Sequence, residues 1–173
     1  MEDFIIPKDA PKHGALKALA AKYPDLDPSA VESCVALLRV SGETFAAFKE
    51  HFARHGMSQG RFILLIMLFH GDPDNSFSPS ELAELSSVSR ATVTGLLDGL
   101  ESDGLVKRSH LADDRRSCSI CLTSKGKKLM EKMLPDHFRR MAGLMANLSK
   151  GERKMLMRLL YKVRAGLDAL RLP

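Results

Sequence analysis

Between Ser78 and Thr123 the chain sets out two short helices, a tight turn and a basic hairpin, and this order leaves few folds open. Ser78-Pro79-Ser80-Glu81 has the form of a capping box with proline at the first helical position, which fixes a helix start. Leu82, Ala83 and Leu85 form the apolar stripe of that helix, and Ser86-Ser87-Val88 supplies the turn. Ser89 caps the next helix, whose buried face is Val93, Leu96, Leu97 and Leu100, spaced i, i+3, i+4, i+7. Asp103-Gly104 ends it. Leu105 to Arg108 then leads outward, Asp113 to Arg116 forms a tip, and Cys118 to Thr123 returns with period-two alternation. A helix pair at this spacing followed by a positively charged ribbon suits the gripping of a DNA duplex in two grooves at once.

The flanks are helical. Residues 1–29 hold Pro7, Pro11, Pro24 and Pro28 and read as an arm, with a short helix near Gly14–Tyr23, draped over a partner subunit. Asp27-Pro28 starts a long helix reaching about His55, with Val31, Cys34, Val35, Leu38, Phe45, Phe48 and Phe52 at helical spacing and Gly56 as its stop. Ser58 caps a helix through Phe69 that is apolar on nearly every side and therefore central. Thr123 or Ser124 caps another, reaching about Asn147 with a kink at Pro135. Ser149-Lys150-Gly151-Glu152 is a second capping box, opening a last helix with Leu156, Leu159, Leu160, Val163, Leu167 and Leu170 on one stripe.

The expected fold is thus mainly α with a small β-hairpin wing: a winged helix-turn-helix whose N- and C-terminal helices form a dimerisation domain. The expected divisions are an N-terminal arm (1–29), a dimerisation helix (30–57), a DNA-binding domain (58–128) and C-terminal dimerisation helices (129–173). Within the third, the helix pair occupies about 78–103 and the wing about 105–123. The outer helices carry more apolar surface than a small winged domain covers, which points to a homodimer.

Charge separates along the chain. Residues 1–104 carry 9 Lys and Arg against 15 Asp and Glu, a net −6; residues 105–132 carry 8 against 3, a net +5; residues 133–173 carry 9 against 3, a net +6. Such a block suits an anionic polymer, and by itself it equally suits a solvated basic face. The longest apolar run, Phe62 to Phe69, is far short of the roughly 18 residues of a membrane span. The opening MEDFIIPKDAPKHG has no basic segment followed by an apolar one, so the expected location is the cytoplasm. There is no glycine-rich phosphate loop, clustered carboxylate pair or triad-like arrangement, so no enzyme activity and no cofactor are expected.

On the second helix of the pair the face opposite Val93 and Leu97 carries Arg90, Ala91, Thr94, Gly95 and Asp98, with Ser89 and Thr92 near the N-terminal end. Small and hydroxylated residues let a helix sink into the major groove, and serine and threonine bond to bases or phosphates. Asp98 and Glu101 repel phosphate, so contact fades after two turns. Arg115 and Arg116 at the wing tip suit a narrow minor groove, with Asp114 beside them to hold a pose. Lys107 and Arg108 at the hairpin base suit phosphates. A protein-binding winged helix is the competing reading, and the basic hairpin argues against it.

These residues resemble the MarR family of bacterial regulators. The matching pieces are Ser80–Leu85 (SELAEL), Ser89–Thr94 (SRATVT), Leu100–Arg108 (LESDGLVKR) and the wing pattern of Asp114, Arg116, Ile120, Leu122 and Thr123, with Gly126 following. The resemblance implies an obligate homodimer on a pseudo-palindromic DNA operator, most often as a repressor. It also implies that the Ser89–Asp103 helix enters the major groove, that the wing tip enters the minor groove, and that a ligand or oxidant alters the spacing of the two heads. Gly95 departs from the basic residue many relatives carry, which shifts weight to Arg90 and the wing.

Three groups of residues invite a signal. Cys34 resembles the setting of a peroxide-sensing cysteine, but Leu38 and Phe48 nearby donate no hydrogen bond, and a buried, inert thiol is expected. Cys118 and Cys121 alternate onto opposite faces of a strand, and His51 and His55, spaced i, i+4, read as surface residues, so no metal site is expected. Phe45, Phe48, Phe52, Met133, Phe138 and Met141 (with Met145 beyond them) read either as core or as the lining of an apolar pocket. The family resemblance implies a small lipophilic or phenolic effector there.

Overall fold

The computed structural model of the chain describes residues 13–70, 76–111 and 114–171, with the side chains of 110–118 outside the description. The elements run α1 (His13–Ala20), α2 (Pro28–Ala53), α3 (Gln59–His70), α4 (Pro79–Ser86), α5 (Arg90–Ser102), β1 (Val106–Leu111), β2 (Asp114–Leu122), α6 (Ser124–Leu144), α7 (Lys150–Ala165) and a closing 3-10 turn at Leu167–Leu170. From α2 onward this is the expected order. Two compact bodies divide between Leu64 and Leu65.

In the first body α2 starts where sequence places it. The Asp27 carboxylate accepts from the Ser29 amide at 2.8 Å and the Ser29 hydroxyl at 2.7 Å, with Pro28 at the first position. These bonds, the hydroxyl's foremost, hold the Asp27 carboxyl below its ordinary pKa. Gly56 stops the helix at φ +62°. The part of the arm within the described residues is not loose. Helix α1 packs on α2, with Leu16 buried and the His13 ring 2.9 Å from the Glu32 carboxylate. Phe48, Phe52 and Phe62 form an aromatic stack with centroid spacings of 5.9 and 4.6 Å.

Two expectations about α2 need correction. His51 is not a surface residue: it retains 5% of its surface. One turn from Phe48 and beside Phe52, it falls on the aromatic stripe, and its ring lies 5.2 Å from that of Phe52. Cys34 is exposed rather than buried, because only His51 and Phe52 of the whole helix are buried in the single chain.

In the second body α4 packs on α5, α5 on β1, and α6 on β2. Leu82, Val93, Leu97, Leu100, Ile120 and Met130 are fully buried and form its core. Leu85 was expected in that core and instead stands exposed; Leu82, Ala83 and half-buried Ser86 take the inward arc of α4. The Ser86 hydroxyl turns back to the Leu82 carbonyl oxygen at 2.5 Å. Ser87 makes the turn in the left-handed region, φ 55°, without being glycine.

The hairpin pairs Val106 with Leu122, Lys107 with Cys121, Arg108 with Ile120, Ser109 with Ser119 and His110 with Cys118, then jumps to Leu111 with Asp114. Phe77, inside the polar loop before α4, adds a bridge: it exchanges two backbone hydrogen bonds with Ile120, at 3.2 and 2.8 Å. Helix α6 is capped by Thr123 and continues through Pro135, ending at Leu144 rather than Asn147. The Ser149–Glu152 capping box forms as expected, but α7 buries none of its residues within the chain. Among the described residues no helix is long and apolar enough to cross a membrane.

Candidate nucleic-acid interface

Helix α5 carries the expected contact residues from the N-terminal end. The Ser89 hydroxyl accepts from the Thr92 amide at 3.1 Å and lies 2.8 Å from the Thr92 hydroxyl. The Thr94 hydroxyl donates back to the Arg90 carbonyl oxygen at 2.9 Å. All three hydroxyls are therefore engaged within the helix, and what Thr94 turns to solvent includes its methyl group. Ser89, Arg90, Ala91, Thr92, Thr94 and Gly95 are exposed, and a Cβ added at Gly95 meets nothing. The outer face is thus shallow and smooth, with Arg90 as its one long side chain. An open cleft of about 480 Å³ lies between α4 and the start of α5, with Glu81 and Glu84 on one side and Ser89 and Arg90 on the other.

Local bonds fix both helices. Ser78 and Glu81 complete the reciprocal capping box, and bonds from the Ser78 amide first and its hydroxyl second hold the Glu81 carboxyl below its ordinary pKa. At the far end of α5, Gly104 turns with φ +67° and the Lys125 ammonium donates to the Asp103 carbonyl oxygen at 2.7 Å. A cation at a helix C-terminus is electrostatically favoured.

The hairpin base divides its two cations. Lys107 is exposed. Arg108, also exposed, has the strand parity of Val106, whose side chain is buried, so it reaches across the surface to α5 instead. Its guanidinium pairs with the Asp98 carboxylate and, at 3.3 Å, with Glu101, and its backbone amide donates to Glu101 at 3.3 Å. Sequence reasoning treated Asp98 and Glu101 only as charges that repel phosphate; the parity of Arg108 with Val106 was the missed signal. Farther out, Asp114 pairs with Leu111, while Arg115, Arg116 and Ser117 are passed over by the ladder's register. Asp113 of the expected tip lies outside the described residues, and Asp114 is the first residue of β2. Of the six residues expected around an apolar pocket, Phe52 and Met133 are buried, Phe48 is half-buried, and Phe45, Phe138 and Met141 are exposed.

The MarR family model matches residues 58–118. Over 153 residues the chain is 39% identical to the HTH-type transcriptional repressor YetL of Bacillus subtilis (strain 168), covering 88% of this chain and 91% of YetL. The crystal structure of transcriptional regulator PA3341 matches with a TM-score of 0.62 and 29% identity, over 78% of this chain and 97% of that one. S. aureus MepR, solved as a DNA complex, shares the fold with a TM-score of 0.67 at 22% identity, over 78% of this chain and 95% of that one. These relatives are regulators rather than enzymes. With a capped helix pair and its ribbon coinciding with the matched region, and with YetL alike along nearly its whole length, the chain belongs to the MarR family of winged helix-turn-helix, DNA-binding transcriptional regulators.

Proposed function

We propose that the chain is a cytoplasmic repressor that binds a pseudo-palindromic operator as a homodimer and releases it when a small lipophilic or phenolic effector binds. The observation that carries the dimer is α7. None of its residues is buried, and Met155, Met157, Leu159, Leu160 and Val163 are all at least 40% exposed. An apolar face of that extent is stable in water only when covered, and a second copy of the same helix is self-complementary under two-fold symmetry. Repression is favoured by the likeness to YetL, whose name describes a repressor.

In this reading Ser89, Arg90, Thr92 and Thr94 enter the major groove from the N-terminal turns of α5. Lys107 meets phosphate, and Asp114, Arg115 and Arg116 bring the wing to the minor groove. The test is selection of bound duplexes from a random 30-bp library, followed by sedimentation of protein and complex. The expected result is a two-fold symmetric consensus bound by two copies. An Arg115→Ala, Arg116→Ala double variant should flatten the salt dependence by about two counterions per wing. A monomer, a consensus without symmetry, or parent-like binding by the double variant overturns the reading.

A further inference from the structure

We infer that Arg108 is a positioning residue that holds the wing in register with the recognition helix, rather than a phosphate ligand. The inference rests on the DNA-binding reading of α5 and the wing. Three contacts support it. The guanidinium is shared between Asp98 and Glu101, and Glu101 also takes the Arg108 backbone amide. Asp98 and Glu101 stand three residues apart on α5, so they present two carboxylates on one side of the helix. Arg108 is on the first strand of the wing, at the position whose partner, Ile120, is fully buried.

A single exposed ion pair contributes little. This arrangement differs because one arginine is held by two carboxylates and by its own main chain, which restricts both the side chain and the strand that carries it. The two carboxylates otherwise face DNA as uncompensated negative charge near the end of the reading face. Arg108 neutralises part of that charge and, through it, fixes the distance between the two elements that must enter neighbouring grooves together. Small displacements of such elements cost discrimination between sequences before they cost general affinity for DNA.

The experiment uses the full chain and two duplexes: the one selected by the parent protein, and a scrambled duplex of equal length and composition. Affinity for each is measured across a salt series for the parent, Arg108→Gln, Asp98→Asn with Glu101→Gln, and the triple variant, with thermal unfolding followed for all four. The expected result is that Arg108→Gln reduces the preference for the selected duplex by about fivefold or more. Its affinity for the scrambled duplex and its salt slope stay at parent values. In the Asp98→Asn, Glu101→Gln background the same change has no further effect on preference. Equal weakening on both duplexes with a shallower slope, in either background, identifies a phosphate ligand and overturns the inference. Unchanged preference overturns it too. If the parent selects no duplex, the underlying reading fails instead.

Discussion

The Thr123 hydroxyl donates to the carbonyl oxygen of Gly104 at 2.7 Å, joining the residue that ends the ribbon to the glycine that precedes it. The same oxygen lies 3.2 Å from the Leu105 carbonyl oxygen and accepts from the Gly126 amide at 3.1 Å. One side chain therefore caps α6 and closes the neck of the wing. Thr123→Val keeps the shape and removes these bonds, and should cost about 1–2 kcal/mol of unfolding free energy. Thr123→Ser should retain most of it. Urea denaturation of the two variants checks the difference; equal midpoints would show that the hydroxyl is incidental.

Gly126 has a different reason to be conserved in any redesign. A methyl group there would collide with the Leu105 carbonyl oxygen and press on the Leu105 carbonyl carbon and Leu122 Cδ2, each at 3.1 Å. Two of these atoms are backbone and cannot swing away. Gly126→Ala should destabilise by about 2–3 kcal/mol, with the loss seen in the thermal midpoint. An alanine variant that melts with the parent would mean that the first turn of α6 shifts freely.

Acid should weaken the fold through His137. Burial pushes its imidazole below the ordinary value of 6.5, with the Asp136 carboxylate partly opposing. The unfolded chain then binds that proton more readily than the folded chain does. This contribution is fully present above pH 6.5 and falls away as pH drops from 6.5 toward the lowered folded value. Urea midpoints compared at pH 7.5 and 5.5 should decline for the parent and change less for His137→Gln. Parallel declines would assign the effect to other groups.

Thr94 offers a test of the proposed reading of the major groove by α5. Its hydroxyl donates to the Arg90 carbonyl oxygen, so in the proposed reading the oxygen can only accept from a base and the methyl is the group offered to thymine. Thr94→Val should keep specific binding, and Thr94→Ser should lose about three- to tenfold. Replacing operator thymines by deoxyuridine should weaken the parent more than it weakens the serine variant. The reverse order among the protein variants would make the hydroxyl the reader.

Much of this architecture is written locally. Asp27-Pro28, Ser78 with Glu81, Ser89, and Ser149 with Glu152 each state a helix start within four residues, and each start stands where the sequence places it. Features that depend on distant residues were not legible. Phe77 looks like a stray apolar residue in a polar loop, and its partner Ile120 lies on the wing. Leu85 fits a helical stripe as well as Leu82 does, and only the direction in which α4 meets the rest of the body exposes it. Arg108 looks like Lys107 until strand pairing assigns them opposite faces. The burial of His51 follows from its place on the aromatic stripe, a context that its residue type alone does not reveal.

The returning strand of the wing passes over Arg115, Arg116 and Ser117 between two paired rungs. The rungs nearer the core, from His110–Cys118 inward, are complete without them. In the proposed reading grip and foldability are thereby separable traits: substitutions at the charged end would change the hold on a duplex while the paired rungs nearer the core keep their register.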